Sequence, residues 1–135
     1  MLFHQRFAQE NSFQEAALIL EHLLQEDSER IDVLSLLGFT HFFMNNYEEA
    51  KEANERILAQ EPENSYANKG LGLSLHKMGQ TEKGIRFLQK AIDTAPENFL
   101  DPYHDLAAVY METGQRDKAE ALLQKLNSPS FARLA

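Results

Sequence analysis

Residues 62–98 read PENSYANKGLGLSLHKMGQTEKGIRFLQKAIDTAPEN, and the stretch closes on the tripeptide that opens it: Pro62-Glu63-Asn64 returns as Pro96-Glu97-Asn98 after 34 positions. The same interval recurs on either side. Gly38 and Gly72 stand 34 apart, each following a leucine (Leu37, Leu71), and Ala16, Ala50 and Gly84 step by 34 at a small-residue position. The turn pairs Gly79-Gln80 and Gly114-Gln115 are 35 apart, which places one extra residue before the last period. Independent features sharing a period of this size mark a repeat architecture, whose units bury their apolar faces only against their neighbours.

Within each period the local chemistry predicts helix, turn, helix. From Asp32 to Met44, the residues Leu34, Leu37, Gly38 and His41 fall at i, i+3, i+4 and i+7, the stripe of an amphipathic helix. Asn45-Asn46 interrupts it, and Asn46-x-x-Glu49 has the form of a capping box that starts a second helix through Ala50, Ala53 and Ile57. That helix ends before Pro62, because the residue preceding a proline avoids helical geometry. Ser12-x-x-Glu15 gives the same start signal in the first period, and Asp101-Pro102 gives one in the last, with Asp as N-cap. Connections this short force neighbouring helices to pack antiparallel.

Period and motif resemble the tetratricopeptide repeat, with its Trp-x2-Leu-Gly-x2-Tyr, Ala-x3-Phe and Ala…Pro pattern. The second period supplies Leu34, Leu37, Gly38, His41, Ala50, Asn54, Ile57 and Pro62; the third Asn68, Leu71, Gly72, Leu75, Gly84, Leu88, Ala91 and Pro96. The fourth supplies Tyr103, Leu106, Ala107, Tyr110, Ala119, Leu123 and Leu126, without a closing proline. The first is truncated: Phe3, His4 and Phe7 fit the end of its first helix, and Ala16, Leu20 and Leu23 its second. The resemblance implies an all-α, right-handed α–α superhelix (solenoid) of about three and a half to four repeats in a single domain. The repeats are expected at about 1–28, 31–64, 65–98 and 100–128, with a tail at 129–135 that carries Phe131 and Leu134.

Composition removes several function classes. Acidic residues outnumber Lys and Arg by 21 to 13, a net charge of −8, so neither a nucleic-acid backbone nor an anionic membrane surface is an expected partner. There is no cysteine, which excludes disulfides, thiolate zinc sites and a cysteine nucleophile. No apolar run approaches the roughly 18 residues of a membrane span, and no signal peptide is visible at Met1-Leu2-Phe3-His4, so a cytoplasmic location is expected. The five histidines form no H-E-x-x-H pair, and His41, at a position the repeat gives to a buried tyrosine, is expected in the core with one hydrogen-bond partner. Neighbouring carboxylates such as Glu48-Glu49 and Glu61-Glu63 fall on outer helices or turns as a solvated face. No enzyme activity, metal or cofactor is expected.

In the family, the first helices of successive repeats line a concave groove. Carried onto this chain, the groove positions are Asp32, Ser35, Phe39 and Phe42; Tyr66, Lys69, Leu73 and His76; and Asp101, His104, Ala108 and Met111. Of these, Phe39, Phe42, Tyr66, Lys69, Leu73, His76, His104 and Met111 are the candidate partner-binding residues, suited to an apolar or amphipathic peptide. The clamp that holds chaperone C-termini needs cations, whereas the matching positions offer Leu36, Tyr66, Gly70, Asp101 and Asp105. The expected function is a protein-binding scaffold or chaperone-like adaptor, similar to the small acidic repeat chaperones of bacterial type III secretion. The alternative is a self-associating structural protein, or a fragment of a longer repeat protein, that assembles through uncapped terminal helices, because a terminal repeat exposes a face meant for a neighbour.

Overall fold

The computed structural model describes residues 2–127, with side chains from Ser12 onward. The expected tail at 129–135 lies outside the described residues, as do the side chains of Phe3, His4 and Phe7. Seven helices make up the described residues: α1 (Leu2–Glu26), α2 (Ile31–Phe43), α3 (Tyr47–Gln60), α4 (Ser65–Lys77), α5 (Thr81–Asp93), α6 (Asp101–Glu112) and α7 (Arg116–Leu126). The chain divides between Pro62 and Glu63 into two compact units, α1–α3 and α4–α7.

The three helix-to-helix turns inside the repeats are built alike. Asn45, Gly79 and Gly114 adopt left-handed backbone (φ 63°, 88° and 76°). The next residue then donates its amide across the turn: Asn46 to His41 O (2.8 Å), Gln80 to Leu75 O (2.9 Å) and Gln115 to Tyr110 O (2.7 Å). This six-to-one bond satisfies a carbonyl that the helix end would otherwise orphan.

In the first unit α2 packs between α1 and α3. Leu20 and Leu24 of α1, Val33, Leu34 and Leu37 of α2, and Ala50, Ala53 and Ile57 of α3 are buried. Full burial of a leucine contributes about 1.5–3 kcal/mol. His41 is buried as expected, with Nδ1 3.2 Å from the Asn46 amide nitrogen. That contact uses the Asn46 side chain, and the capping box expected at Asn46 does not form a side-chain cap.

In the second unit the α4–α5 hairpin is the most intimate pair. A Cβ added at Gly72 would meet Gly84 O and Leu88 Cγ at 2.8 Å, and one at Gly84 would meet Gly72 O at 2.6 Å. Neither position accepts a side chain without the hairpin opening. Leu88, Leu106, Ala107, Val109, Ala119 and Leu122 join α5, α6 and α7 in one apolar cluster.

Three expectations need correction. The turn expected before Ser12 is absent: α1 is one uninterrupted helix of 25 residues. The N-cap of α6 is Leu100, not Asp101; Asp101 is the first helical residue, beside Pro102 in the first turn. The repeated Pro-Glu-Asn does two different jobs. Asn64 caps α4 by accepting from the Ala67 amide (2.9 Å), whereas Asn98 takes a left-handed φ of 71° and α6 begins only at Asp101. The extra residue of the last period is absorbed in this connection.

Candidate functional site

The candidate residues fall on both units, and each unit presents its own face.

In the first unit α2 turns Leu36, Phe39 and Phe43 outward; Phe39 is 57% exposed. These side chains are mutually supported, with Phe39 and Phe43 rings 4.5 Å apart and Phe13 of α1 stacked on Phe43 at 6.1 Å. Phe42 is less available than the groove pattern implies. It is half-buried, edge-on to both Phe43 (5.8 Å) and Tyr47 (5.4 Å). A separate cleft of about 320 Å³ opens among α1, α2 and α3, floored by Leu24, Leu37 and Ala53 and rimmed by Glu21, Glu49, Glu52 and Arg56. His41 Nε2 lies 3.6 Å from Glu21 Oε1 there.

In the second unit, α4 and α6 lie side by side and two polar clasps join them. At one end Lys69 Nζ reaches Asp101 (3.6 Å) and Asp105 (3.7 Å); at the other His76 Nε2 meets Glu112 Oε2 at 2.6 Å. His76 Nδ1 is 3.0 Å from Thr81 Oγ1, so the ring is held from both sides. Burial pushes the Asp105 carboxyl above its ordinary value, against the pull of Lys69. The hydrogen bond to His76 draws the Glu112 carboxyl down.

Apolar surface borders these clasps. Tyr66 is 56% exposed and packs on Phe99 with ring centroids 4.1 Å apart and planes tilted by 30°, and Lys69 Nζ sits 5.7 Å from the Phe99 centroid. Met111 is 53% exposed and His104 is exposed. Leu73 is half-buried and packs against the α5–α7 cluster, so part of its side chain belongs to the core rather than to a free face. The structure thus brings Tyr66 and Lys69 together at Phe99 and sets His76 against Glu112, whereas His104 and Met111 are exposed on α6 and Leu73 is half-buried. The groove pattern missed Phe99, Asp105 and Glu112. Asp105 and Glu112 each follow a pattern position by one residue, on the flank of α6 that meets α4; Phe99 lies in the irregular connection, where no periodicity points.

Among the described residues no cluster of three or more His, Asp or Glu side chains converges on a metal site, and no helix is long and apolar enough to cross a membrane.

A family model of the tetratricopeptide repeat matches residues 7–72 and 75–129. The chain belongs to the tetratricopeptide repeat family, and as such it is a protein-interaction scaffold. The fold is similar to that in two crystal structures of MamA, both at a TM-score of 0.73 and 26% identity. The matches cover 84% and 85% of this chain, and 66% and 63% of those chains. It is also similar to a MamA fragment, 41-end, from Desulfovibrio magneticus RS-1 (TM-score 0.79, 23% identity, 93% of this chain and 70% of that one). This chain thus spans slightly less than two thirds of the first two MamA chains.

Proposed function

We propose that this scaffold holds an amphipathic, positively charged segment of a partner protein on the α4–α6 face of its second unit. One observation carries the proposal. Exposed apolar side chains (Tyr66 on Phe99, and Met111) flank a strip in which Asp101 and Asp105 face Lys69 and Glu112 meets His76, so that carboxylates outnumber the lysine among them. Aromatic and methionine side chains supply anchoring area that adapts to a ligand's shape. The carboxylate excess favours Lys or Arg on the incoming segment and disfavours an acidic one. Lys69, already bridging two carboxylates, is not available to a free C-terminal carboxylate.

Fluorescence anisotropy tests this with two labelled amphipathic helical peptides of equal apolar content, one bearing Lys on its polar face and one Glu. The lysine peptide is expected to bind, with Tyr66→Ala and Met111→Ala each weakening it about tenfold, the loss of one anchoring contact. Equal binding of both peptides, or binding untouched by either substitution, would contradict the proposal. Leu73 makes a poor probe, because its substitution also disturbs the core.

A second reading, self-association, draws support from the exposed Leu36, Phe39 and Phe43 on α2. It predicts a mass in sedimentation equilibrium that rises with concentration and falls back to monomer in Phe39→Glu.

A further inference from the structure

We infer that the cleft among α1, α2 and α3 is a second binding site, and that it takes the side chain of a lysine presented by another protein. The inference is independent of what the α4–α6 face binds.

The cleft lies wholly within the first unit, and its two ends differ in charge. His41, in the last turn of α2, and Glu49, in the first turn of α3, stand at one end with Glu21 of α1. Glu52 follows about one turn along α3. At the other end Arg56 of α3 donates to the carbonyl of Ser28, in the connection from α1 to α2, and Gln25 belongs to the last turn of α1. Between them run Leu24, Leu37 and Ala53, 7%, 7% and 3% exposed. Glu49 and Arg56 are seven residues apart, about 10 Å along the helix. The volume of about 320 Å³ matches the lower end of the range for small-ligand pockets.

The carboxylates of this cleft lack a cation of their own. On the same helix Lys51 reaches Glu48 (3.7 Å) and Glu55 (3.8 Å), whereas among the described residues no Lys or Arg pairs with Glu21, Glu49 or Glu52. His41 is an independent sign of an unfinished site. Its side chain is more than nine-tenths buried and lines the cleft. With the Asn46 amide donating to Nδ1, the ring proton sits on Nε2, which faces Glu21 Oε1 at 3.6 Å, too far for a hydrogen bond. An ammonium seated beside Glu21 would draw that carboxylate inward and complete the contact.

Repeat geometry alone does not produce this cleft. The corresponding positions in the second unit, 68 residues on in α5 and 69 on in α6 and α7, replace Glu21, Glu49 and Glu52 by Gln89, Lys118 and Ala121. Ala53 becomes Leu122, which is buried in the apolar cluster, and Tyr110, the counterpart of His41, packs against that cluster. Lys118 Nζ stands 5.8 Å from the Tyr110 ring centroid. The second unit thus fills the place with its own side chains and supplies its own lysine. The first unit leaves it open and supplies carboxylates.

An anionic end, an apolar floor and donors at the far end complement one residue, a lysine lying along the cleft. Its ammonium offers three donors, its stem is apolar, and its backbone carbonyl accepts from Gln25 or Arg56. Carboxylates arriving from two different helices suit that compact ammonium better than the planar fork of arginine. A simple alkyl diamine lacks the carbonyl.

Amide NMR titration of the whole chain tests the site with N-acetyl-lysine N-methylamide, the matched norleucine derivative and cadaverine. The expected result is saturable shifts centred on Leu24, Leu37 and Ala53 with the lysine probe, at a midpoint several-fold below that of either control. The midpoint should rise several-fold in Glu49→Lys and in Ala53→Leu, each of which installs the residue that the second unit holds. Glu49 is exposed and unpaired, so Glu49→Lys keeps the test valid should Ala53→Leu fail to fold, and circular dichroism establishes that each is folded. Equal binding of the norleucine probe would overturn the inference in favour of a merely apolar cavity, and equal binding of cadaverine in favour of a small amine. Shifts absent from the cleft, or unmoved by Glu49→Lys, would overturn it outright.

Discussion

Gly72 and Gly84 show what a single position decides. Each backbone carbonyl sits where the other residue's Cβ would be, so α4 and α5 touch at a distance only glycine permits. Gly72→Ala is expected to destabilise the second unit by about 1–3 kcal/mol, the usual cost of overpacking, read as a lower urea midpoint. Gly38→Ala should cost less, because its nearest neighbour is the Asn54 side-chain amide at 3.2 Å, which can move. Removal of the Asn64 cap by Asn64→Ala is expected to cost about 1 kcal/mol by the same measurement. These roles were half legible in the sequence. The 34-residue spacing marks Gly38, Gly72 and Gly84 as close-approach positions, and His41 as core. The spacing does not say which partner a short polar side chain chooses. Asn46 was free to cap α3 or to meet His41, and it meets His41; Asn64 and Asn98 share a tripeptide, yet only Asn64 caps a helix.

Between elements, the α4–α6 contact is governed by charge, and its pH dependence has a definite sign. Glu112 is drawn below its ordinary 4.5 by the hydrogen bond from His76. Its contribution is therefore complete above the ordinary value and disappears as pH falls through the lowered one. Asp105 works in the opposite sense: burial raises its pKa above 3.8, so its stabilising contribution exists in acid and is lost as pH rises through the raised value. Urea midpoints measured from about pH 3 to pH 7 should show a shallower acid-side loss for Glu112→Gln. In Asp105→Asn the loss on the rising side should be gone. Glu112 is exposed, so its effect is small and weakens with salt. The helices themselves were readable from periodicity, except at the two places where the period is imperfect. One is the start of α1, where Ser12-x-x-Glu15 carries a helix-start signal and the helix nevertheless runs unbroken from Leu2. The other is the connection before α6, where an extra residue shifts the cap from Asp101 to Leu100.

At the scale of the molecule, each unit carries an apolar face of different character. The first sets Leu36, Phe39 and Phe43 on the same helix as exposed Asp32 and Ser35; the second sets aromatic and methionine side chains among carboxylates. The family pattern picks out positions on α2, α4 and α6, and Phe39, Tyr66 and Met111 among them are exposed, because such positions follow from helix geometry. It could not distinguish a free side chain from a partly buried one, as Leu73 and Phe42 illustrate, since that depends on how the neighbouring helix is packed. It also could not show that Lys69 is already engaged, because Asp105 lies 36 residues away in sequence.

The central claim is that the α4–α6 face of the second unit holds a cationic amphipathic segment. Amide hydrogen exchange with and without the lysine-bearing peptide tests it most directly. The account predicts slowed exchange in the peptides that span Tyr66–His76 and Phe99–Glu112, with α7 unchanged. Protection confined to α5 and α7, with Tyr66–His76 and Phe99–Glu112 exchanging as in the free protein, would contradict it.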